Sequence, residues 1–130
     1  MKGGRIYYAH AIWLYGSSLE QKEIDLIGRI FPDWEIVNPS KLTRPERVGG
    51  LEFYKGQVER CDVVIFSRLA GKITAGVGLE VNHGLSRKKA VYEIGDRELI
   101  PVFKPVEFLS RQDTVALFLE LDKRRCSEAD

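Results

Sequence analysis

The stretch Cys61-Asp-Val-Val-Ile-Phe66 is largely apolar, and after a loop it leads into Thr74-Ala-Gly-Val-Gly-Leu-Glu80. A short apolar run of this kind is typical of a strand that is covered on both faces. The two glycines lie at the start of a segment, Gly76 to Lys88, that the pattern predicts to be a helix. We therefore interpret residues 61–88 as the central strand of a parallel sheet, followed by a loop and a covering helix.

The same alternation of strands and helices runs through the whole chain. The predicted strands are 6–9, 34–37, 61–66, 90–94 and 99–103, and the predicted helices are 18–31, 51–60, 76–88 and 111–125, with a charged loop at 40–50. On the last helix Val115, Leu117, Phe118 and Leu121 are expected to face inward. This order predicts a three-layer, Rossmann-like α/β fold with a five-stranded, mainly parallel sheet. Residues 1–125 form the single predicted domain, and 126–130 a polar tail.

Composition excludes several classes of protein. A chain of 130 residues has room for one domain. Its net charge of +1 gives no overall field that would attract a nucleic-acid polymer or an anionic membrane. Cys61 and Cys126 form neither a metal motif nor a disulfide framework, which favours a cytoplasmic location. The single Met and abundant charged residues are compatible with a thermophilic source.

The start of the third helix is the strongest candidate for a site. In parallel sheets ligands bind beyond the carboxyl ends of the strands, and here Gly76 and Gly78 follow the central strand. Helix-start amides favour an anion such as phosphate, and we expect Glu80, placed in the first turn, to stay ionised and act as a nucleophile. The alternative is that Glu80 only balances the helix dipole while the glycines allow tight packing.

Asp62-Val-Val-Ile, Thr74-Ala-Gly-Val-Gly-Leu-Glu80, Lys89-Ala-Val and the opening Ile6-Tyr-Tyr-Ala9 together resemble the nucleoside 2-deoxyribosyltransferase superfamily. Within it the chain is most similar to the 2-deoxynucleoside 5-phosphate N-hydrolases. The resemblance implies that Glu80 forms a covalent ester with C1 of the sugar as the base departs. It also implies that the Thr74 hydroxyl helps to bind a 5-phosphate, and that no metal or organic cofactor is needed.

Three positions depart from the family pattern. Tyr54 stands where the family has an aspartate, so the proton donor for the leaving base is not assigned. Asn82 replaces a glycine two residues after the nucleophile, which alters the packing of the third helix. The loop after the first strand, His10 to Gly16, carries bulky side chains in place of small ones.

The first strand and its loop supply further candidate residues. Tyr7 and Tyr8 should face opposite sides of the sheet, and Tyr7 either packs in the core or orients the nucleophile. His10 either has a structural role or donates the missing proton. Trp13 and Tyr15 either stack on a base or pack against the protein.

The function that these residues predict is cleavage or exchange of the N-glycosidic bond of a nucleoside or its 5-monophosphate. A non-catalytic nucleotide-binding or interaction module on the same fold is the alternative. A third hypothesis is an enzyme that acts on other N-glycosides, including nicotinamide dinucleotides. The apolar loop Ile12 to Tyr15, together with the family's shared pockets, predicts a homodimer.

Overall fold

A single mixed sheet lies at the centre of the structure. The computed structural model describes residues 3–45 and 48–129, the last three by their backbone alone. The strands are β1 (Arg5–Ala9), β2 (Glu35–Val37), β3 (Val63–Phe66), β4 (Ala90–Ile94) and β5 (Leu99–Val102). They are arranged in the order β2-β1-β3-β4-β5, with the first four parallel and β5 antiparallel to β4. The predicted five-stranded, mainly parallel sheet is confirmed.

The antiparallel edge follows from a short connection. Only residues 95–98 separate β4 from β5, and the Gly95 N–H donates to the Glu98 carbonyl over 2.9 Å. A turn this short joins antiparallel neighbours, whereas a parallel neighbour requires a long crossover.

Helices cover both faces of the sheet. They are α1 (Ser18–Ile30), α2 (Gly50–Glu59), α3 (Ala75–Ser86) and α4 (Arg111–Ala129). Helix α1 packs on one face through Ile24 and Ile27, whereas α2 and α3 pack on the other through Val58, Val77 and Val81. None of these helices, within the described residues, has the length and apolar character needed to cross a membrane.

The alternation along β1 follows the predicted pattern. All four residues from Ile6 to Ala9 are fully buried. Tyr7 and Ala9 belong to the apolar cluster under α2 and α3, whereas Ile6 and Tyr8 belong to the cluster under α1. The prediction that Tyr7 and Tyr8 face opposite sides is therefore confirmed.

Local capping fixes the first helix. Ser17 is the N-cap, and its hydroxyl accepts a hydrogen bond from the Glu20 N–H over 3.1 Å. The helix ends at Ile30, before Pro32 as predicted.

In the predicted loop 40–50, residues 46 and 47 lie outside the described part of the chain.

Helix α4 differs most from its prediction. Leu117, Phe118 and Leu121 pack against the loops that follow β1 and β3, but Val115 is 51% exposed instead of inward. The helix therefore lies along the carboxyl edge of the sheet. It also continues to Ala129, so residues 126–129 of the expected tail are helical, and residue 130 lies outside the described residues.

Candidate active site

The candidate site is a cavity at the carboxyl edge of β1 and β3. The chain leaves β1 for α1 on one face and leaves β3 for α3 on the other, so a crevice opens between the two loops. A cavity of about 430 Å³ occupies it. The wall is mostly apolar and includes His10, Tyr15, Tyr54, Thr74, Glu80 and Phe108.

Glu80 points into this cavity from α3. Its side chain is buried, and one carboxylate oxygen accepts a hydrogen bond from the Tyr7 hydroxyl. The expected position beside a crevice is confirmed, but the expected position in the first turn is wrong. Thr74 has an extended backbone and is the N-cap, so the helix starts at Ala75 and Glu80 lies in the second turn.

The expectation that Glu80 stays ionised is also wrong. Burial raises the pKa of Glu80 from 4.5 to about 7, and the hydrogen bond from Tyr7 offsets only part of that rise. The helix dipole acts mainly within the first turn and so gives little help at this position. Near neutral pH the carboxyl group is therefore divided between its acid and its ionised form.

Tyr7 both packs in the core and contacts the nucleophile candidate. Burial, with the neighbouring Glu80 carboxylate, raises the pKa of Tyr7 far above its ordinary value. The phenol therefore remains a hydrogen-bond donor at any physiological pH. It can hold one oxygen of Glu80 and leave the other free towards the cavity.

His10 is held by buried polar contacts on both sides of its ring. Nδ1 lies 3.1 Å from the Tyr8 carbonyl, and Nε2 lies 2.6 Å from Oε2 of Glu20. Each ring nitrogen therefore has its own polar partner. The ring also stacks on Tyr8 with centroids 3.8 Å apart. His10 lines the cavity, but protonating a leaving base would require it to break one of these bonds.

Glu20 is the anionic partner of His10. Although burial acts to raise the pKa of Glu20, hydrogen bonds from His10 and the Gly16 N–H hold it below its usual value. The contact between Glu20 and His10 holds the start of α1 against the end of β1. His10 therefore has a structural role.

The two aromatic residues of the loop after β1 have different surroundings. Tyr15 lines the cavity, and burial together with the nearby Glu80 raises its pKa. Trp13 is not among the lining residues: its Nε1–H donates to Asp122 over 2.8 Å, and the Arg125 guanidinium lies 4.1 Å from the ring centroid. The structure therefore brings Tyr15 to the cavity and attaches Trp13 to α4.

At the start of α3 some residues line the cavity and another packs against a neighbouring side chain. Thr74 is buried, lines the cavity and makes no capping hydrogen bond with its side chain. Gly76 also lines the cavity, and a Cβ there would meet nothing within 4 Å. At Gly78 a Cβ would lie 2.2 Å from Cγ of Phe108. Gly78 therefore serves the close packing that the alternative interpretation expected.

Hydrogen bonds of Asn82 hold the segment that places Phe108 beside Gly78. The Asn82 side chain donates to the Val106 carbonyl over 3.0 Å and accepts from the Val106 N–H over 2.7 Å. The Leu109 N–H donates to the Ile73 carbonyl over 2.8 Å. These bonds fix the segment before α4 against α3, so Phe108 and Leu109 become part of the cavity wall.

The sequence did not indicate the contribution of α4. Its first turn supplies Ser110, Arg111 and Thr114 to the cavity wall, and the Thr114 hydroxyl accepts from the Ala75 N–H over 2.9 Å. The N-termini of α3 and α4 thus meet at one place, beside a guanidinium group. A capping serine at 110 was the available signal for the helix start, but no local pattern shows that the helix folds back over the sheet edge.

Comparison of the chain with protein-family models, with curated proteins and with solved structures finds no match. The resemblance to the nucleoside deoxyribosyltransferase superfamily therefore stays a prediction from the residues quoted above.

The raised pKa of Glu80 predicts a specific dependence of stability on pH. Between 4.5 and about 7 the folded protein holds a proton that the unfolded chain has lost, so the free energy of unfolding falls as the pH rises. The loss reaches about 3 kcal/mol above pH 7. Glu80→Gln lacks this group, so urea denaturation should show its stability rising relative to the parent protein across the same range.

Glu52→Gln is the matched control, because Glu52 is exposed on α2. Its stability difference from the parent protein should stay constant from pH 5 to pH 8 if burial of Glu80 is the cause. A constant difference for Glu80→Gln as well would contradict the prediction.

Proposed function

We propose that this protein is a nucleoside deoxyribosyltransferase-like enzyme that acts on the N-glycosidic bond of a nucleoside or nucleoside 5-monophosphate. The observation that carries the proposal is the buried Glu80 carboxylate, held by Tyr7 and directed into a cavity at the carboxyl edge of the sheet. A buried nucleophile beside a sugar-sized cavity suits attack on an anomeric carbon.

The reaction uses the ionised form of Glu80. Its free oxygen attacks C1 of the sugar while Tyr7 holds the other oxygen, and the C1–N bond breaks with its electron pair going to the base. Water, or a second base, then attacks C1 and releases the Glu80 carboxylate. Burial makes the carboxylate more nucleophilic because fewer water molecules solvate it.

The start of α3 supports a phosphate-bearing substrate. The Gly76 amide, the Thr74 hydroxyl and the Arg111 side chain all line the cavity where two helix N-termini meet. Backbone N–H groups at a helix N-terminus and a guanidinium are the groups that bind phosphate. This arrangement favours a 5-monophosphate over a free nucleoside.

A non-catalytic nucleotide-binding module is the second candidate. It is favoured by the pKa of about 7 for Glu80, which leaves a share of the nucleophile protonated at neutral pH, and by Tyr54 in place of the family's aspartate. Such a module would keep the phosphate-binding wall and bind nucleotides without turning them over.

Replacing Glu80 separates the two candidates. If Glu80 is the nucleophile, Glu80→Ala and Glu80→Gln should lower the rate of base release by on the order of 10⁴-fold or more, because the covalent step is lost. Binding of the nucleotide should persist, since Thr74 and the amide of Gly76 do not depend on the carboxylate.

The measurement is chromatography of the free base released from a panel of nucleosides and 5-monophosphates, with calorimetry for binding. Glu52→Gln should behave like the parent protein. Retained turnover in Glu80→Gln would exclude the covalent mechanism, whereas nucleotide binding by the parent protein with no turnover on the whole panel would select the module.

Tyr7→Phe should shift the acid limb of the rate profile. The hydrogen bond from Tyr7 lowers the pKa of Glu80, so its removal raises that pKa and the ionised nucleophile appears only at higher pH. The measurement is kcat/KM as a function of pH, where the parent protein should show an acid limb near pH 7.

Tyr8→Phe is the matched control, because Tyr8 makes the same type of bond to Glu23 on the opposite face of the sheet. Its acid limb should coincide with that of the parent protein. An acid limb that does not move in Tyr7→Phe would show that Tyr7 has only a packing role.

We further propose that the protein forms a homodimer. Ile12, at the mouth of the cavity, is 69% exposed, and Leu51 is 43% exposed beside the same opening. Both side chains border one opening, and a partner that covers them would remove this apolar surface from water. Light scattering at micromolar concentration should give twice the chain mass of 14.8 kDa, and the monomeric mass would contradict the proposal.

A further inference from the structure

Helices α2 and α3 run side by side in the same direction. Helix α2 leads into β3 and α3 leads out of it, and because the strands are parallel both helices run from the carboxyl edge of the sheet to the opposite edge. They touch where Val58 meets Gly84: a Cβ at Gly84 would lie 3.6 Å from Cγ1 of Val58. Next to this contact, the Glu59 carboxylate accepts a hydrogen bond from Nε2 of His83 over 3.0 Å. The register between the helices is therefore fixed.

This register places Tyr54 on α2 at the same level as Glu80 on α3. One helical turn is about four residues, and residues four apart lie on the same face of a helix. A step of one turn towards the carboxyl edge leads from Val58 to Tyr54 on α2 and from Gly84 to Glu80 on α3. Both side chains line the cavity, and Tyr54 is half-buried. A phenol and a carboxylate thus reach the same space from neighbouring helices.

We infer that Tyr54 is the proton donor for the departing base. The inference rests on the proposed function, and it fills the role that the sequence alone leaves unassigned. The donor must reach the nitrogen of the base while Glu80 reaches C1, and Tyr54 enters the same cavity from the neighbouring helix. His10, the donor that the sequence suggested, has both ring nitrogens engaged by Glu20 and the Tyr8 carbonyl.

The proton balance of this step is complete. As the Glu80 oxygen bonds to C1, the C1–N electron pair passes to the base, and the base nitrogen takes the proton from the Tyr54 hydroxyl. In the second half the Tyr54 phenolate accepts a proton from water, the water oxygen bonds to C1, and the ester electron pair returns to Glu80. The same group acts first as acid and then as base.

A pair of substrates that differ only in the need for a proton tests this role. Guanosine 5-monophosphate, in the ribose or deoxyribose form that the parent protein cleaves, releases a base that must gain a proton. Its N7-methylated form carries a cationic base that leaves as a neutral molecule without one. Spontaneous loss of the methylated base is measured separately and subtracted.

Tyr54→Phe should lower kcat for the unmethylated nucleotide by roughly 10²- to 10⁴-fold. It should leave kcat for the methylated nucleotide, and KM for both, nearly unchanged, because the phenyl ring keeps the shape of the cavity. Tyr15→Phe removes the hydroxyl of a second phenol on the same wall and should show no such selectivity.

Equal slowing of both nucleotides in Tyr54→Phe would overturn the inference and leave the proposed function intact. Slowing of the unmethylated nucleotide alone in Tyr15→Phe, and not in Tyr54→Phe, would also overturn the inference and leave the proposed function intact. If the parent protein cleaves neither nucleotide, nor any other member of the panel, the proposed function fails and this inference fails with it.

Discussion

The close approach of α3 to the sheet at Gly84 is the constraint on which the site depends. A Cβ at that position would lie 2.9 Å from Cγ2 of Val64, so only glycine lets the helix rest at this distance from β3. Val64 pairs in register with Tyr7 on β1. Glu80 lies one helical turn from Gly84, towards the carboxyl edge, and this brings its carboxylate to the Tyr7 hydroxyl. The pairing of Tyr7 with Glu80 therefore follows from one contact between a helix and a strand.

Much of the layered fold could be predicted from the sequence because it depends on local patterns. The alternation of apolar runs with helical spacing indicates the layers, and the period of two along β1 separates Tyr7 from Tyr8. Ser17 caps α1 directly before the predicted helix 18–31. The position of α4 could not be predicted in this way, because its contacts join residues that are distant in sequence: Thr114 with Ala75, and Asp122 with Trp13. Its apolar positions are also too scattered to define one inward face.

The protonation of Glu80 shows a second limit of sequence reasoning. The spacing after Thr74 indicates a carboxylate near a helix N-terminus, where the dipole favours the charged form. The structure adds the removal of water, and this acts in the opposite direction and is the larger effect. Gly78 shows the same limit, because its neighbour Phe108 comes from a segment beyond the last strand. Which glycine borders the cavity and which meets a side chain depends on that later segment.

The attachment of Trp13 to α4 affects the order in which the molecule can be assembled during synthesis. Trp13 and Asp122 are separated by 109 positions, so the partner of the first loop leaves the ribosome long after the loop itself. Until then the nascent chain can pair β1 with β3 and seat α1, but the wall formed by Phe108 to Phe118 does not yet exist. The cavity is consequently the last part of the fold to close, because its wall is complete only when the C-terminal helix has docked.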